Sequence, residues 1–111
     1  MKRDDNAYIR HILDAITQIE EYLSGKSLEE FMTSKMVQDA VVRQLEIIGE
    51  ATKNLSTATK AASPAIPWRD IAGMRDILIH QYFGVDLLAV WKSASEELTL
   101  VKRQLLQIKV K

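Results

Sequence analysis

The sequence predicts an all-α protein, an up-and-down bundle of four main helices plus a short one. Apolar residues recur at spacings of three and four through most of the chain, which is the period of an amphipathic helix. No stretch shows the strict apolar–polar alternation of a half-buried strand. Because 47% of the 111 residues are apolar, the chain can form one modest core, and we predict a single domain over residues 1–111.

The first predicted helix begins at Asp4 or Asp5 and ends before Gly25, a typical C-terminal stop. Its apolar stripe consists of Ile9, Leu13, Ile16, Ile19 and Leu23. Ser27 and Glu30 have the spacing of a capping box, which predicts a short second helix through Phe31.

Ser34 is predicted to cap a long third helix, in which Gly49 is the unusual residue. The stripe of this helix consists of Val37, Val41, Leu45, Ile48, Ala51 and Leu55. A glycine inside a helix costs about 1 kcal/mol relative to alanine. Two interpretations stay open: another helix or a ligand approaches closely there, or tertiary packing simply tolerates the residue. Residues 56–63 lack periodicity and are predicted to be a connecting loop.

Pro64 and Pro67 favour an extended chain before a helix over Trp68–Tyr82, which we expect to be bent or broken at Gly73. Gly84 closes this helix and Asp86 caps the last one. The last helix has a heptad-like seam of Leu87, Trp91, Ala94, Leu98, Val101, Leu105 and Ile108. That pattern is typical of nearly antiparallel packing in a bundle.

The composition restricts the function classes. Fifteen basic and fifteen acidic residues cancel, so any nucleic-acid site must be a local patch. The absence of cysteine excludes disulfides and thiolate metal sites. No Asp, Glu and His cluster has metal-ligand spacing, and we predict neither metal nor cofactor. No apolar run has transmembrane or signal-peptide character, so we predict a cytoplasmic protein without membrane contact.

One series of residues suits phosphodiester chemistry: Arg75, then His80 five positions later, then Tyr82. A histidine can move the proton of an RNA 2′-hydroxyl, and a guanidinium can stabilise charge on the phosphoryl oxygens. On a regular helix Arg75 and Tyr82 lie on nearly the same face, whereas His80 lies about 140° from Arg75. Asp76, one turn before His80, could orient the imidazole. The plainer interpretation is a surface or core histidine beside solvated arginines.

At these residues the sequence resembles the HEPN domains, specifically the HepT-like ribonuclease toxins. The series Arg75-x4-His80-x-Tyr82 is similar to their signature. The segment 40–51 resembles that family's "Av.R.lE.IGEA" helix, and 66–75 resembles its "IPW..I.GmR" segment. Val85–Asp86 with Trp91 is similar to its "vD…vW" tail, so that the likeness extends over residues 4–108.

The resemblance implies a homodimer with a shared cleft and metal-independent RNA cleavage, in which Arg75 and His80 are catalytic. It also implies a toxin–antitoxin pair, whose small nucleotidyltransferase antitoxin, of the MntA type, transfers AMP to Tyr82. The family often has Asn after the motif arginine. Here Asp76 adds a negative charge near the phosphate path, and we expect lower activity or a changed substrate preference.

Two other functions stay open at this point. One is a non-catalytic HEPN module that binds nucleotide or RNA or supports a partner nucleotidyltransferase, and the other is a plain helical dimerisation scaffold. Both fit the neutral charge. We predict a dimer, because the heptad-like last helix, Gly49 and the Pro67–Trp68 segment supply more apolar surface than a small bundle can bury.

Overall fold

The structure, a computed structural model, describes residues 5–80 and 86–108, except for the side chains of Ile79 and His80. Throughout these two ranges the regular structure is helical and no strand occurs. The elements are α1 (Asp5–Leu23), α2 (Leu28–Thr33), α3 (Lys35–Asn54), α4 (Thr57–Ala62), α5 (Trp68–His80), α6 (Leu87–Lys92), a π-helical segment (Ser93–Glu97) and α7 (Leu98–Leu105). The all-α prediction is therefore confirmed.

Helix α3 is the centre of the fold, because it packs along α1 on one side and along α5 on the other. The predicted stripes face this core: Ile16 and Ile19 of α1 and Val41 of α3 have no exposed surface. Phe31 of α2 is equally buried and its ring packs on that of Trp91, with centroids 5.4 Å apart. The long helices are held mainly by this apolar burial.

The predicted caps at Ser27, Ser34 and Asp86 and the predicted stop at Gly25 are also confirmed. Ser27 and Glu30 form the capping box, with the Glu30 amide 3.2 Å from the Ser27 hydroxyl and the Ser27 amide 2.8 Å from the Glu30 carboxylate. Ser34 caps α3 and Asp86 caps α6 through their side-chain oxygens. Gly25 has a φ of +73°, a left-handed conformation that glycine adopts without a steric penalty.

The prediction of a loop over residues 56–63 is wrong, because α4 lies there. The Ser56 hydroxyl accepts a hydrogen bond from the Thr59 amide. The hydroxyls of Ser56 and Thr59 both donate to the Asp5 carboxylate. At the C-terminal end of α4, the indole Nε1 of Trp68 donates hydrogen bonds to the carbonyls of Lys60 and Ser63, each at 3.0 Å. No residue of α4 is buried, so the helix leaves no apolar period in the sequence.

Two helices differ in detail from the prediction. Helix α5 runs without interruption through Gly73, and its predicted continuation to Tyr82 and Gly84 lies outside the described residues. The last helix is interrupted by the π-helical segment. There Ser95 donates its hydroxyl to the Trp91 carbonyl at 2.6 Å, which competes with regular helical hydrogen bonding.

The apolar surface that was expected to form a dimer is used within one chain. Gly49, Trp68 and most of the seam of the last helix are buried inside the bundle. Other large apolar side chains stay exposed, including Ile77 of α5 (55%) and Leu88 of α6 (57%). The dimer therefore stays a prediction. The surface that supports it is the exposed apolar side chains and not the residues buried in the bundle. Along the described part of the chain, no helix has both the length and the apolar character needed to cross a membrane.

Candidate active site around Arg75

Gly49 brings α5 close to α3 at Arg75. A Cβ atom at position 49 would overlap the Cβ of Arg75 and would lie 3.2 Å from both the Arg75 Cγ and the Ile71 carbonyl oxygen. Only a glycine leaves room for that contact. The interpretation of Gly49 as a site of close helix approach is therefore confirmed, and the residue that approaches is the motif arginine.

Two carboxylates hold the guanidinium of Arg75. Its Nε lies 3.1 Å from Glu50 Oε1 on α3, and its Nη1 lies 3.2 Å from Asp76 Oδ1 on its own helix. The hydrogen bond to Asp76 and the ion pair with Glu50 engage two different nitrogens, and together they fix the plane as well as the position of the guanidinium. The side chain is 29% exposed, so Arg75 is oriented by protein and still accessible from solvent.

Lys53 completes a chain of four charges. Its Nζ lies 2.6 Å from the same Oδ1 of Asp76 that Arg75 contacts. This hydrogen bond from Lys53, with a smaller contribution from Arg75, lowers the pKa of the Asp76 carboxyl below its usual value. Together with Glu50, these described residues contribute two positive and two negative charges.

The motif search identified Arg75 and Asp76 and missed Glu50 and Lys53. These two residues lie three positions apart on α3, so both can reach the same neighbouring helix. Their position one and four residues after Gly49 was the available signal, since a glycine that admits another helix brings residues close to it in sequence near that helix. It could be used only if the identity of the approaching helix were known.

Arg75 borders a groove of about 230 Å³ between α1, α3 and α5. Tyr8 and His11 form its α1 wall, with their rings edge to face and their centroids 6.3 Å apart. On the α3 side, Arg43 lies 3.5 Å from Glu46. His11 is exposed, as predicted, but it faces the same groove as the motif arginine.

The other predicted site residues are described only in part. His80 is the last described residue of α5, and its side chain lies outside the described residues, as does the whole of Tyr82. That Asp76 orients the imidazole of His80 therefore stays a prediction. Among the side chains that the structure describes, which do not include that of His80, no three of His, Cys, Asp or Glu are grouped closely enough to hold a metal ion.

Comparison with known proteins identifies one family. The family described as "Ribonuclease HepT-like" matches residues 12–108. "Probable ribonuclease HepT" of Thermococcus cleftensis is 47% identical over 102 residues, which are 92% of this chain and 93% of that protein.

Two proteins of Methanocaldococcus jannaschii are also similar. One, named "Putative RNase", is 44% identical over 93% of this chain and 85% of its own length. The other, named "Gamma-glutamylcyclotransferase and putative RNase", is 46% identical over 97% of this chain, which spans only 49% of that relative. No solved structure gives a significant match. The family match and the relatives agree with the resemblance seen in the motifs, and the chain belongs to the HepT-like ribonuclease family.

Proposed function

We propose that this chain is a metal-independent RNA endonuclease in which Arg75 and His80 act on the scissile phosphodiester. The observation that carries the proposal is the oriented, accessible guanidinium of Arg75, in a chain whose relatives are named "Probable ribonuclease" and "Putative RNase". Glu50 and Asp76 fix Arg75 before substrate binds, so little reorganisation is needed when charge develops on the phosphoryl oxygens.

The reaction follows from the two side chains. A base removes the proton of the 2′-hydroxyl, the 2′-oxygen bonds to phosphorus, and the bond from phosphorus to the 5′-oxygen breaks. An acid delivers a proton to that leaving oxygen. The products are a 2′,3′-cyclic phosphate and a 5′-hydroxyl. His80 is the histidine of the motif, and histidine is the residue type suited to both proton transfers at neutral pH.

The test is cleavage of a single-stranded RNA in buffer containing EDTA. Wild-type protein should cut the RNA, and Arg75→Ala and His80→Ala should each lose about 100-fold or more of the rate. Arg69→Ala is the matched control, because Arg69 is an exposed arginine of the same helix and does not border the Arg75 groove. A strict requirement for added divalent metal, or full activity of both variants, would refute the proposal.

We extend the proposal to regulation on the basis of the family resemblance. The chain is then the toxin of a toxin–antitoxin pair, neutralised when a small nucleotidyltransferase transfers AMP to Tyr82. The physical reason is charge: a nucleotide on Tyr82 brings a phosphate that competes with RNA for Arg75.

A second candidate is a non-catalytic module that binds RNA or nucleotide, or supports a nucleotidyltransferase. The charge balance around Arg75 favours it, because two carboxylates already contact the guanidinium. The two functions differ in the effect of His80→Ala. In the nuclease this variant loses cleavage and still binds RNA, whereas in the binding module the wild type also fails to cleave.

A further inference from the structure

Asp76 creates an electrostatic problem for a phosphate-binding arginine. Its Oδ1 lies 3.2 Å from Arg75 Nη1, and Glu50 already contacts Nε at 3.1 Å. One guanidinium between two carboxylates has a local charge of minus one. Such a cluster would repel a phosphate that approaches Arg75, since charges a few ångströms apart interact strongly near a protein surface.

Lys53 corrects this imbalance from the neighbouring helix. Its Nζ is 2.6 Å from Asp76 Oδ1, closer than the 3.2 Å of Arg75 Nη1 to the same oxygen. A carboxylate oxygen shared by two cations is bound less strongly to each. Lys53 therefore both adds a positive charge and weakens the hold of Asp76 on the arginine.

We propose that Lys53 is a positioning residue that keeps the positive charge of Arg75 available for the RNA phosphate by pairing with Asp76. The proposal rests on the function proposed above, in which Arg75 binds the phosphate. It assigns to Lys53 an effect that is exerted only through Asp76, and an asparagine at position 76 would make the lysine unnecessary.

The pair is suited to a mutational test because it contributes little to folding. The side chains of Lys53 and Asp76 are 38% and 46% exposed, and an exposed ion pair adds only a small part of the stability of a folded protein. We therefore expect folded proteins from all variants, with thermal unfolding as the check.

The experiment measures kcat/KM for RNA cleavage by wild type, Lys53→Met, Asp76→Asn and the double variant. Lys53→Met should lose about tenfold, chiefly through KM, because contacting charged residues couple at this magnitude. The double variant should recover to within about twofold of Asp76→Asn. Lys53→Arg, which keeps the charge, should stay close to wild type.

Lys35→Met is the matched control, because Lys35 also lies on α3 and forms an exposed ion pair, with Asp39 at 3.1 Å. It should cleave like the wild type. The proposal is overturned if Lys53→Met is fully active, or if its loss persists in the double variant. Failure of the proposed function has another signature, in which Arg75→Ala cleaves as well as the wild type.

Discussion

Gly49 of α3 and Arg75 of α5 lie in direct contact, with no side chain on the glycine to separate the two helices. The same contact packs the bundle and positions the Cβ end of the Arg75 side chain. Glu50, the next residue along α3, then reaches the guanidinium at 3.1 Å. Helix packing and the geometry of the candidate site are therefore coupled at one position.

Substitution of this glycine should be destabilising, in contrast to the other glycine within a described helix. Gly49→Ala places a methyl group on Arg75, and overpacking of this kind costs about 1–3 kcal/mol. At Gly73 an added Cβ meets nothing within 4 Å. Gly73→Ala should thus gain up to about 1 kcal/mol from helix propensity.

Urea unfolding of the two variants and wild type measures both effects. Gly49→Ala should also reduce RNA cleavage, since it displaces Arg75. Equal stabilities for the two alanine variants would show that α3 and α5 separate easily, and the coupling of packing to the site would have to be abandoned.

The sequence was sufficient for the parts of the fold that depend on local pattern. The stripes of α1 and α3 and the caps at Ser27, Ser34 and Asp86 follow from residues within a few positions of each other. Helix α4 was missed because much of its support comes from Asp5, which lies 51 residues before Ser56 in the chain.

The candidate site also has one part that local sequence predicts and one part that depends on tertiary packing. Arg75 and Asp76 are neighbours in the motif and were identified from it. Their partner Lys53 is 23 residues from Asp76, and the contact depends on how α3 and α5 are rotated about Gly49. Helical period alone does not determine that rotation.

The ion pair of Asp76 gives a pH-dependent contribution to stability. Hydrogen bonding to Lys53 lowers the pKa of Asp76 in the folded protein, so its charged form favours folding. The contribution is complete above the ordinary aspartate pKa of about 3.9 and is lost as pH falls through the lower folded value. The stability advantage of wild type over Asp76→Asn should therefore shrink from pH 5 toward pH 2.

Thermal unfolding at several pH values tests this prediction, with Lys53→Met as the control that removes the main cause of the shift. In the Lys53→Met protein, Asp76→Asn should change the unfolding temperature less, and that change should depend less on pH. If the difference between wild type and Asp76→Asn were constant across the acid range, the Lys53 hydrogen bond would not persist in solution.

We predict a homodimer whose interface includes Ile77. This side chain is 55% exposed on α5, three residues before His80, and residues at that spacing are neighbours on a helix. An interface that brings two copies of position 80 together would therefore cover it. Ile77→Glu should give monomers in sedimentation at micromolar concentration, whereas Leu100→Glu should not, although Leu100 is 58% exposed on α7. A wild type that sediments only as a monomer would exclude a shared cleft.

Tyr82 is predicted to be the site of modification. Incubation with the nucleotidyltransferase and ATP should add the mass of AMP to wild-type protein and abolish RNA cleavage. Tyr82→Phe should gain no mass and should stay active in the presence of the partner. Tyr8→Phe serves as the control for loss of a tyrosine hydroxyl near Arg75, since Tyr8 borders the same groove. The same mass gain on Tyr82→Phe would identify another acceptor.

The last prediction concerns how one motif histidine per chain supplies both a base and an acid. In-line attack by the 2′-hydroxyl needs one proton removed and another delivered. On a regular helix position 80 lies about 140° from position 75, so one chain does not naturally bring its own arginine and histidine together. A two-fold axis through the cleft would bring two copies of each residue around one phosphate.

On this hypothesis a dimer has one composite site, and His80→Ala in either chain disables it. Wild type and His80→Ala protein are mixed at several ratios and allowed to exchange subunits before RNA is added. Because only dimers with two intact chains are active, cleavage should fall as the square of the wild-type fraction. Lys35→Met in place of His80→Ala should leave the rate unchanged at every ratio, which controls for the mixing itself. A linear fall with His80→Ala would mean that each chain cleaves alone, and base and acid would then have to come from one subunit.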